Sequence, residues 1–220
     1  MPPKTDRSIN MSDIKNNRRG YYAAKRVFDI VMSIIALILL SPVFLILAVA
    51  IKLDSKGPVF YKHPSIGKNG KPFGMYKFRS MVRNSQEEFE KLPDEMKKEF
   101  YETYKIDNDP RITKVGNFLR KTSLDELPQF VNVIKGELSL VGPRPIVDAE
   151  LEKYGDDKEK FLSVIPGITG YWQSHGRSNV MSYDERKEME LYYVDNASFL
   201  LDIKILFRTV VVVFKREGAK

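Results

Sequence analysis

The sequence contains no cysteine. Structural disulfides, cysteine-based zinc sites and a cysteine nucleophile are therefore excluded. Histidine is nearly as scarce: His63 and His175 are the two copies, so a histidine-built metal cluster is not expected. No internal repeat or low-complexity tract is present. One stretch, Ile30 to Ile51, lacks any Asp, Glu, Lys or Arg. Elsewhere charge is abundant and unbalanced, with a formal excess of +7. Such an excess suits a polyanionic partner: nucleic acid, anionic lipid or a phosphorylated ligand. The 220 residues suffice for one domain with a real core.

At a rise of about 1.5 Å per residue, the uncharged run is long enough to cross a bilayer core. It is too long for the apolar part of a secretory signal, and no small-residue cleavage site follows it. Ser41-Pro42 sits at its centre, where proline removes a backbone donor and predicts a kink or break. Arg18, Arg19, Lys25 and Arg26 precede the run, and Lys52, Lys56 and Lys62 follow it. Positive charge at both ends favours a helix–break–helix hairpin that dips into the membrane and returns, with a kinked single span as the alternative.

Residues 1–20 read as a mobile polar start, 21–56 as the membrane helix, and 57–220 as the folded domain that follows, with an interfacial helix at its C-terminal end. Within that domain, Pro58–His63 and Phe73–Arg79 read as strands joined by the Asn-Gly turn signal of Gly67-Lys68-Asn69-Gly70. Phe89, Leu92, Met96, Phe100 and Tyr104 recur at helical spacing, with a helix restart at Pro93. Helices are predicted over residues 123–135, ended by Gly136, and over 183–195. Phe199–Lys215 is strongly apolar, and Lys204, Arg208 and Lys215 fall within about 40° on a helical wheel. That pattern fits an interfacial helix; a buried terminal helix, or a strand at Val210–Val213, is the competing reading. The expected fold is α+β, mainly α, with a re-entrant N-terminal hairpin, amphipathic interfacial helices and a small β-hairpin.

Asp125-Glu126 is an adjacent acidic pair at a predicted helix start. Ser123-x-x-Glu126 matches a capping box, so a structural role is the first reading. The surroundings carry a second. Lys77 and Arg79 lie in Tyr-Lys-Phe-Arg-Ser-Met, Arg111 in Asp-Pro-Arg-Ile-Thr, Arg120 in Asn-Phe-Leu-Arg-Lys, and Arg144 between two prolines in Val-Gly-Pro-Arg-Pro. Guanidinium forks bind phosphate oxygens at two points. Carboxylates beside them can hold Mg²⁺ against a diphosphate, or one can attack phosphorus. In Pro166–Gln173 and His175-Gly176-Arg177, Trp172 and Tyr171 are able to stack on a base or sugar.

From about Lys25 to Lys215, these segments together resemble the bacterial sugar transferases, the monotopic polyprenyl-phosphate phosphoglycosyl transferases. The resemblance is carried by Lys-Arg-Val-Phe-Asp-Ile, Ser41-Pro42, Tyr-Lys-Phe-Arg-Ser-Met, Asp-Pro-Arg-Ile-Thr, Thr-Ser-Leu-Asp-Glu-Leu-Pro-Gln, Leu-Val-Gly-Pro-Arg-Pro and Pro-Gly-Ile-Thr-Gly, in this order. It implies a re-entrant Ser-Pro helix and a catalytic-core-only domain on the cytoplasmic face of the bacterial membrane, beside inner-leaflet phospholipids. It also implies an Asp125 nucleophile that takes phospho-sugar from a UDP-sugar and releases UMP, with Glu126 helping to hold Mg²⁺. Arg120, Arg144 and Arg177 would serve the substrate, and undecaprenyl phosphate would accept the sugar-phosphate in the priming step of exopolysaccharide, capsule or glycoconjugate synthesis. Two departures stand out. Glu190, a further substrate-site candidate by the resemblance, replaces the family's usual aspartate, and Tyr-Trp-Gln-Ser-His-Gly-Arg replaces a more common Leu-Ala-Gln-Val-Asn-Gly-Arg. A non-catalytic, basic, membrane-anchored binding protein is the alternative. Nucleic acid is not expected as a partner, since no nucleic-acid motif is present. Homo-oligomerisation is left open.

Overall fold

The computed structural model describes residues 11–103, 106–175 and 182–215. The chain starts with two helices, α1 (Met11–Leu39) and α2 (Ser41–Asp54), broken at Leu40. Among the described residues no single helix is long and apolar enough to cross a membrane. Arg19–Leu39 and Ser41–Asp54 together meet that length and composition, bent by 61°. The break falls where Ser41-Pro42 predicts it. Pro42 has no N–H to give the carbonyl four residues back, that of Ile38. Ser41 Oγ donates to this same carbonyl at 2.8 Å, so the Ile38 carbonyl keeps a donor at the bend.

The hairpin strands β1 (Phe60–Ile66) and β2 (Pro72–Phe78) pair antiparallel, with His63 opposite Met75 and Tyr61 opposite Lys77. β1 therefore begins two residues later than the composition suggests and runs on to Ile66. Asn69 and Gly70 take φ of 58° and 73° in the connecting turn, the left-handed region that Asn-Gly favours.

Next come α3 (Ser85–Glu90) and α4 (Asp94–Thr103), separated at Pro93. Their apolar stripe buries Phe89 and Leu92 with Ile106, against Met96 and Phe100; Tyr104 lies outside the described residues. α5 (Lys114–Thr122) is capped by Thr113, whose side chain accepts from Gly116 N–H.

The expectation of one helix over 123–135 does not hold. Ser123 adopts φ 56°, ψ 18° and ends α5, and its side chain makes no cap bond. A single 3₁₀ turn, Leu124–Glu126, follows, and α6 (Gln129–Lys135) begins only after Pro128. The capping-box reading of Ser123 and Glu126 is thus corrected: a left-handed residue closing one helix does not present its hydroxyl to the next. Gly136 ends α6 with φ 84°, as expected. A capping box does occur at Ser182–Glu185.

Two three-residue strands, β3 (Ser139–Val141) and β4 (Gly167–Thr169), pair in parallel. Between them lie α7 (Asp148–Leu151) and α8 (Lys158–Leu162). The glycines of the Val-Gly-Pro-Arg-Pro and Pro-Gly-Ile-Thr-Gly motifs meet here. A Cβ on Gly142, Gly167 or Gly170 would strike backbone of the facing segment. Side chains are thus excluded from this seam, and the loop carrying Arg144 is pressed against β4. The chain ends with α9 (Tyr171–His175), α10 (Tyr183–Asn196) and α11 (Phe199–Lys215). The strand alternative at Val210–Val213 is overturned, since these residues are helical.

A core of Met75, Val133, Leu138, Leu140, Val141, Tyr193 and Ile205 joins β2, α6, β3, α10 and α11. A second, of Leu47, Ile51, Phe78 and Leu119, seats α2 on β2 and α5. The inner face of α1 is polar and buried. Lys25 donates to Asp202 of α11 at 2.9 Å, and Asp29 accepts from Ser139 Oγ at 2.7 Å. Arg26 donates to the carbonyls of Val133 and Ile134 at the end of α6. Lys25 and Arg26, counted above as flanking charges for a lipid surface, are spent on the protein instead. Bonds to α6 and α11, at the far end of the chain, claim them.

Candidate active site

The turn after α5 brings the acidic pair beneath the hairpin. Asp125 is buried at 8% exposure. Burial pushes its carboxyl up to about 6; Lys77 and Arg120 oppose that rise, and the neighbouring charge of Glu126 adds to it. Glu126 pairs with Lys77, Nζ to Oε1, at 3.2 Å. Lys77 is placed by its position on β2. Arg120 is fixed by α5, with Nε donating to Ser80 Oγ at 2.9 Å. Gly116 keeps Ser80 close, since a Cβ there would strike the Ser80 carbonyl. Two carboxylates and two cations thus converge from β2, α5 and the 3₁₀ turn.

The other sequence candidates divide. Arg79 is buried, and its guanidinium donates to the carbonyls of Ser55 at 2.7 Å and Lys56 at 2.8 Å and to Ser55 Oγ at 2.9 Å, closing the C-terminal end of α2. Arg111 is held by Asp109 at 2.7 Å and lies against the Phe89 ring at 4.8 Å. Both arginines are occupied by protein partners and neither is gathered with Asp125. A buried guanidinium must find acceptors, and here helix-end carbonyls and a carboxylate supply them. Arg177 lies outside the described residues. Ser41 and Pro42 stand at the bend of the first two helices.

Arg144 and Glu190 form a second group. Glu190 is fully buried, and burial pushes its carboxyl up to about 7. Its Oε2 accepts the Arg144 backbone N–H at 3.1 Å. The Arg144 guanidinium lies 5.9 Å from the Trp172 ring centre.

Two residues that motif and spacing do not flag complete the region. His63 on β1 is half-buried, and burial followed by the nearby charges of Lys77 and Arg144 lowers its pKa. His63 thus feels a positive charge from each of the two groups. Arg186 on α10 lies 4.9 Å from the Trp172 ring and pairs with Glu150 at 3.3 Å. A hollow lined by Ser55, Lys56, Val82, Arg83, Asn84 and Glu87 includes none of these residues.

Among the described residues no group of three or more His, Asp or Glu side chains is arranged to hold a metal ion. Asp125 and Glu126 alone offer two hard oxygen donors. That set fits Mg²⁺ held by one or two carboxylates and a substrate's phosphates, and does not fit an all-protein cage.

Residues 20–216 match the sequence model of the family described as bacterial sugar transferase. The chain belongs to the bacterial sugar transferase family. An undecaprenyl-phosphate galactose phosphotransferase of Salmonella typhimurium is 50% identical over 94% of this chain and 44% of its own length. The exopolysaccharide production protein ExoY of Sinorhizobium fredii is 45% identical over 89% of this chain and 88% of its own. A UDP-glucose:undecaprenyl-phosphate glucose-1-phosphate transferase of Escherichia coli is 42% identical over 89% of this chain and 41% of its own. This bacterial sugar transferase thus spans less than half the length of the Salmonella and E. coli relatives. In the Thr-Ser-Leu-Asp-Glu-Leu-Pro-Gln segment of this chain, Ser123 closes a helix, the acidic pair makes a turn, and the next helix begins after Pro128.

Proposed function

We propose that the protein transfers a sugar-1-phosphate from a UDP-sugar to undecaprenyl phosphate and releases UMP. The observation that carries this reading is Asp125: a buried carboxylate, ionised for the most part at neutral pH, beside Lys77 and Arg120. A helix cap is normally solvated and has no use for such surroundings. The broken cap geometry at Ser123 removes the simplest argument for the non-catalytic alternative.

The diphosphate of the donor is anionic and repels a carboxylate nucleophile. Arg120, Lys77 and Arg144 would neutralise that charge. Asp125 and Glu126 would hold Mg²⁺, which supplies further charge neutralisation at the diphosphate when bound. An Asp125 oxygen then attacks the sugar-bearing phosphorus. The bond from that phosphorus to the UMP oxygen breaks, and its electron pair leaves with UMP. An oxygen of the lipid phosphate next attacks the same phosphorus. The acyl–phosphate bond breaks and Asp125 is regenerated.

The acceptor is lipid-borne, and apolar surface is available for a bilayer. Val27, Val31, Ile35, Ile38 and Leu39 of α1 and Leu45, Ile46, Val49 and Leu53 of α2 are exposed. So are Phe199, Leu200, Phe207, Val210 and Val211 of α11. Single exposed apolar residues are ordinary on a protein surface, but rows of them along three helices are not. We take α1–α2 as re-entrant, α11 as interfacial, and the enzyme as monotopic on the cytoplasmic face among inner-leaflet phospholipids. The product would prime an exopolysaccharide, capsule or related glycoconjugate. The sugar is a hexose, with galactose and glucose the first to test, given the names of the relatives.

The test is incubation with UDP-galactose or UDP-glucose, Mg²⁺ and no acceptor. About one UMP per active site and a sugar-phosphate mass on Asp125 are expected, both lost in Asp125→Asn. Turnover without burst or adduct would mean that the lipid phosphate attacks the donor directly.

A further inference from the structure

Arg144 needs a fixed orientation if it is to meet a diphosphate, and its own side chain has several rotatable bonds. Prolines on both sides restrict its backbone, and the glycine seam presses its loop against β4. Neither sets the direction of its peptide N–H.

Glu190 does meet that N–H. It is 0% exposed, with Oε2 accepting from Arg144 N–H at 3.1 Å and Oε1 lacking a hydrogen-bond partner. The charged and titratable groups around it come from three elements: Arg186 from α10 itself, Arg144 from the loop after β3, and Tyr154 from the turn after α7. Arg186 Nε and Nη2 and the Tyr154 hydroxyl are also buried without hydrogen-bond partners. The guanidiniums of Arg186 and Arg144 both lie against the Trp172 ring.

A buried carboxylate with an idle oxygen is a poor way to stabilise a core, since an apolar residue of similar volume would pack there without the desolvation cost. What the carboxylate supplies, and an apolar residue does not, is negative charge toward Arg186 and an acceptor for one particular peptide N–H; Glu190→Gln keeps the acceptor without the charge. We infer that Glu190 is a positioning residue that clamps the Arg144 backbone and so aims the Arg144 guanidinium across Trp172 toward the space shared with His63 and Lys77. Its link to catalysis rests on the reaction proposed above; the clamp itself does not.

Two readouts separate the clamp from the reaction. The first is hydrogen exchange at the Arg144 amide, which needs no turnover. Exchange should quicken at least about tenfold in Glu190→Leu and stay slow in Glu190→Gln, whose amide oxygen can accept the same N–H. The second is steady-state UMP release with UDP-galactose. Glu190→Leu should raise KM at least about tenfold, Glu190→Gln no more than about threefold, and Glu190→Leu should add less than about twofold to the loss in Arg144→Ala. Unchanged Arg144 exchange in Glu190→Leu would overturn the clamp. So would full additivity with Arg144→Ala, or a folded Glu190→Gln as impaired as Glu190→Leu. If Glu190→Leu does not fold, rapid Arg144 exchange in Glu190→Gln is the overturning result. Absence of UMP release from the wild type would count against the proposed reaction, and the exchange measurement would still decide the clamp.

Discussion

Replacing Asp125 by Asn removes a charge that the fold buries at a cost. In the unfolded chain the carboxyl ionises near 3.8; in the folded protein burial keeps it protonated up to about 6. Between those values the unfolded state has given up its proton while the folded state holds it. Stability therefore falls as pH rises through this window, and the loss is complete above it. A pKa difference of this size corresponds to about 3 kcal/mol. Asn keeps the shape and cannot ionise, so Asp125→Asn should be more stable than wild type by up to about 3 kcal/mol at pH 8. The gain should vanish near pH 4. For a chain of this length it corresponds to a rise in Tm of about 6–12 °C. The assay is thermal unfolding in detergent with chelator present, at pH 4, 6 and 8, alongside UMP release at each pH. Turnover should be lost at every pH, the pattern of a site that exchanges stability for function. An Asp125→Asn protein less stable than wild type at pH 8, or a gain equal at pH 4 and pH 8, would refute the reasoning.

Other outcomes follow from contacts already described. Excess chelator should abolish UMP release and added Mg²⁺ should restore it; full activity in chelator would remove the metal from the proposal. Asp202→Asn breaks the 2.9 Å pair with Lys25, whose side chains are 4% and 10% exposed. It should cost about 3–5 kcal/mol, a fall in Tm on the order of 10 °C by calorimetry. Gly116→Ala forces a Cβ against the Ser80 carbonyl. It should destabilise by about 1–3 kcal/mol and slow UMP release, because Ser80 holds Arg120; normal rates would separate Ser80 from the site.

Features that depend on local pattern were legible in the sequence. The Asn-Gly turn, the break at Ser41-Pro42, the restart at Pro93 and the stop at Gly136 each follow from the backbone limits of one or two residues. Whatever depends on partners was not. Arg79, Arg111, Lys25 and Arg26 announce cations, but only the fold shows that helix-end carbonyls, Asp109 and Asp202 occupy them. Ser123 and Glu126 have capping-box spacing, yet the end of α5 takes Ser123 into the left-handed region and the box does not form. The pairing of β3 with β4 is hidden because each strand has three residues, too few for a periodicity. His63 enters the site only because the hairpin register sets its strand beside Lys77. For the acidic pair, the sequence pointed to nearby arginines, and among the described residues Arg120 and Lys77 are the cations set beside Asp125.

The bond between Lys25 and Asp202 spans 177 residues. Chains emerge from the ribosome N-terminus first, so Lys25 is made long before its counter-ion. Arg26 waits for the carbonyls of Val133 and Ile134, and Asp29 waits for Ser139. The first helix must therefore keep a row of charges solvated beside its apolar end while most of the chain is still being synthesised. A nascent chain stopped before α11 would leave Lys25 without the carboxylate that makes its burial tolerable. Synthesis of α11 is thus the event that completes the docking of α1, and a chain truncated before α11 should leave Lys25 exposed.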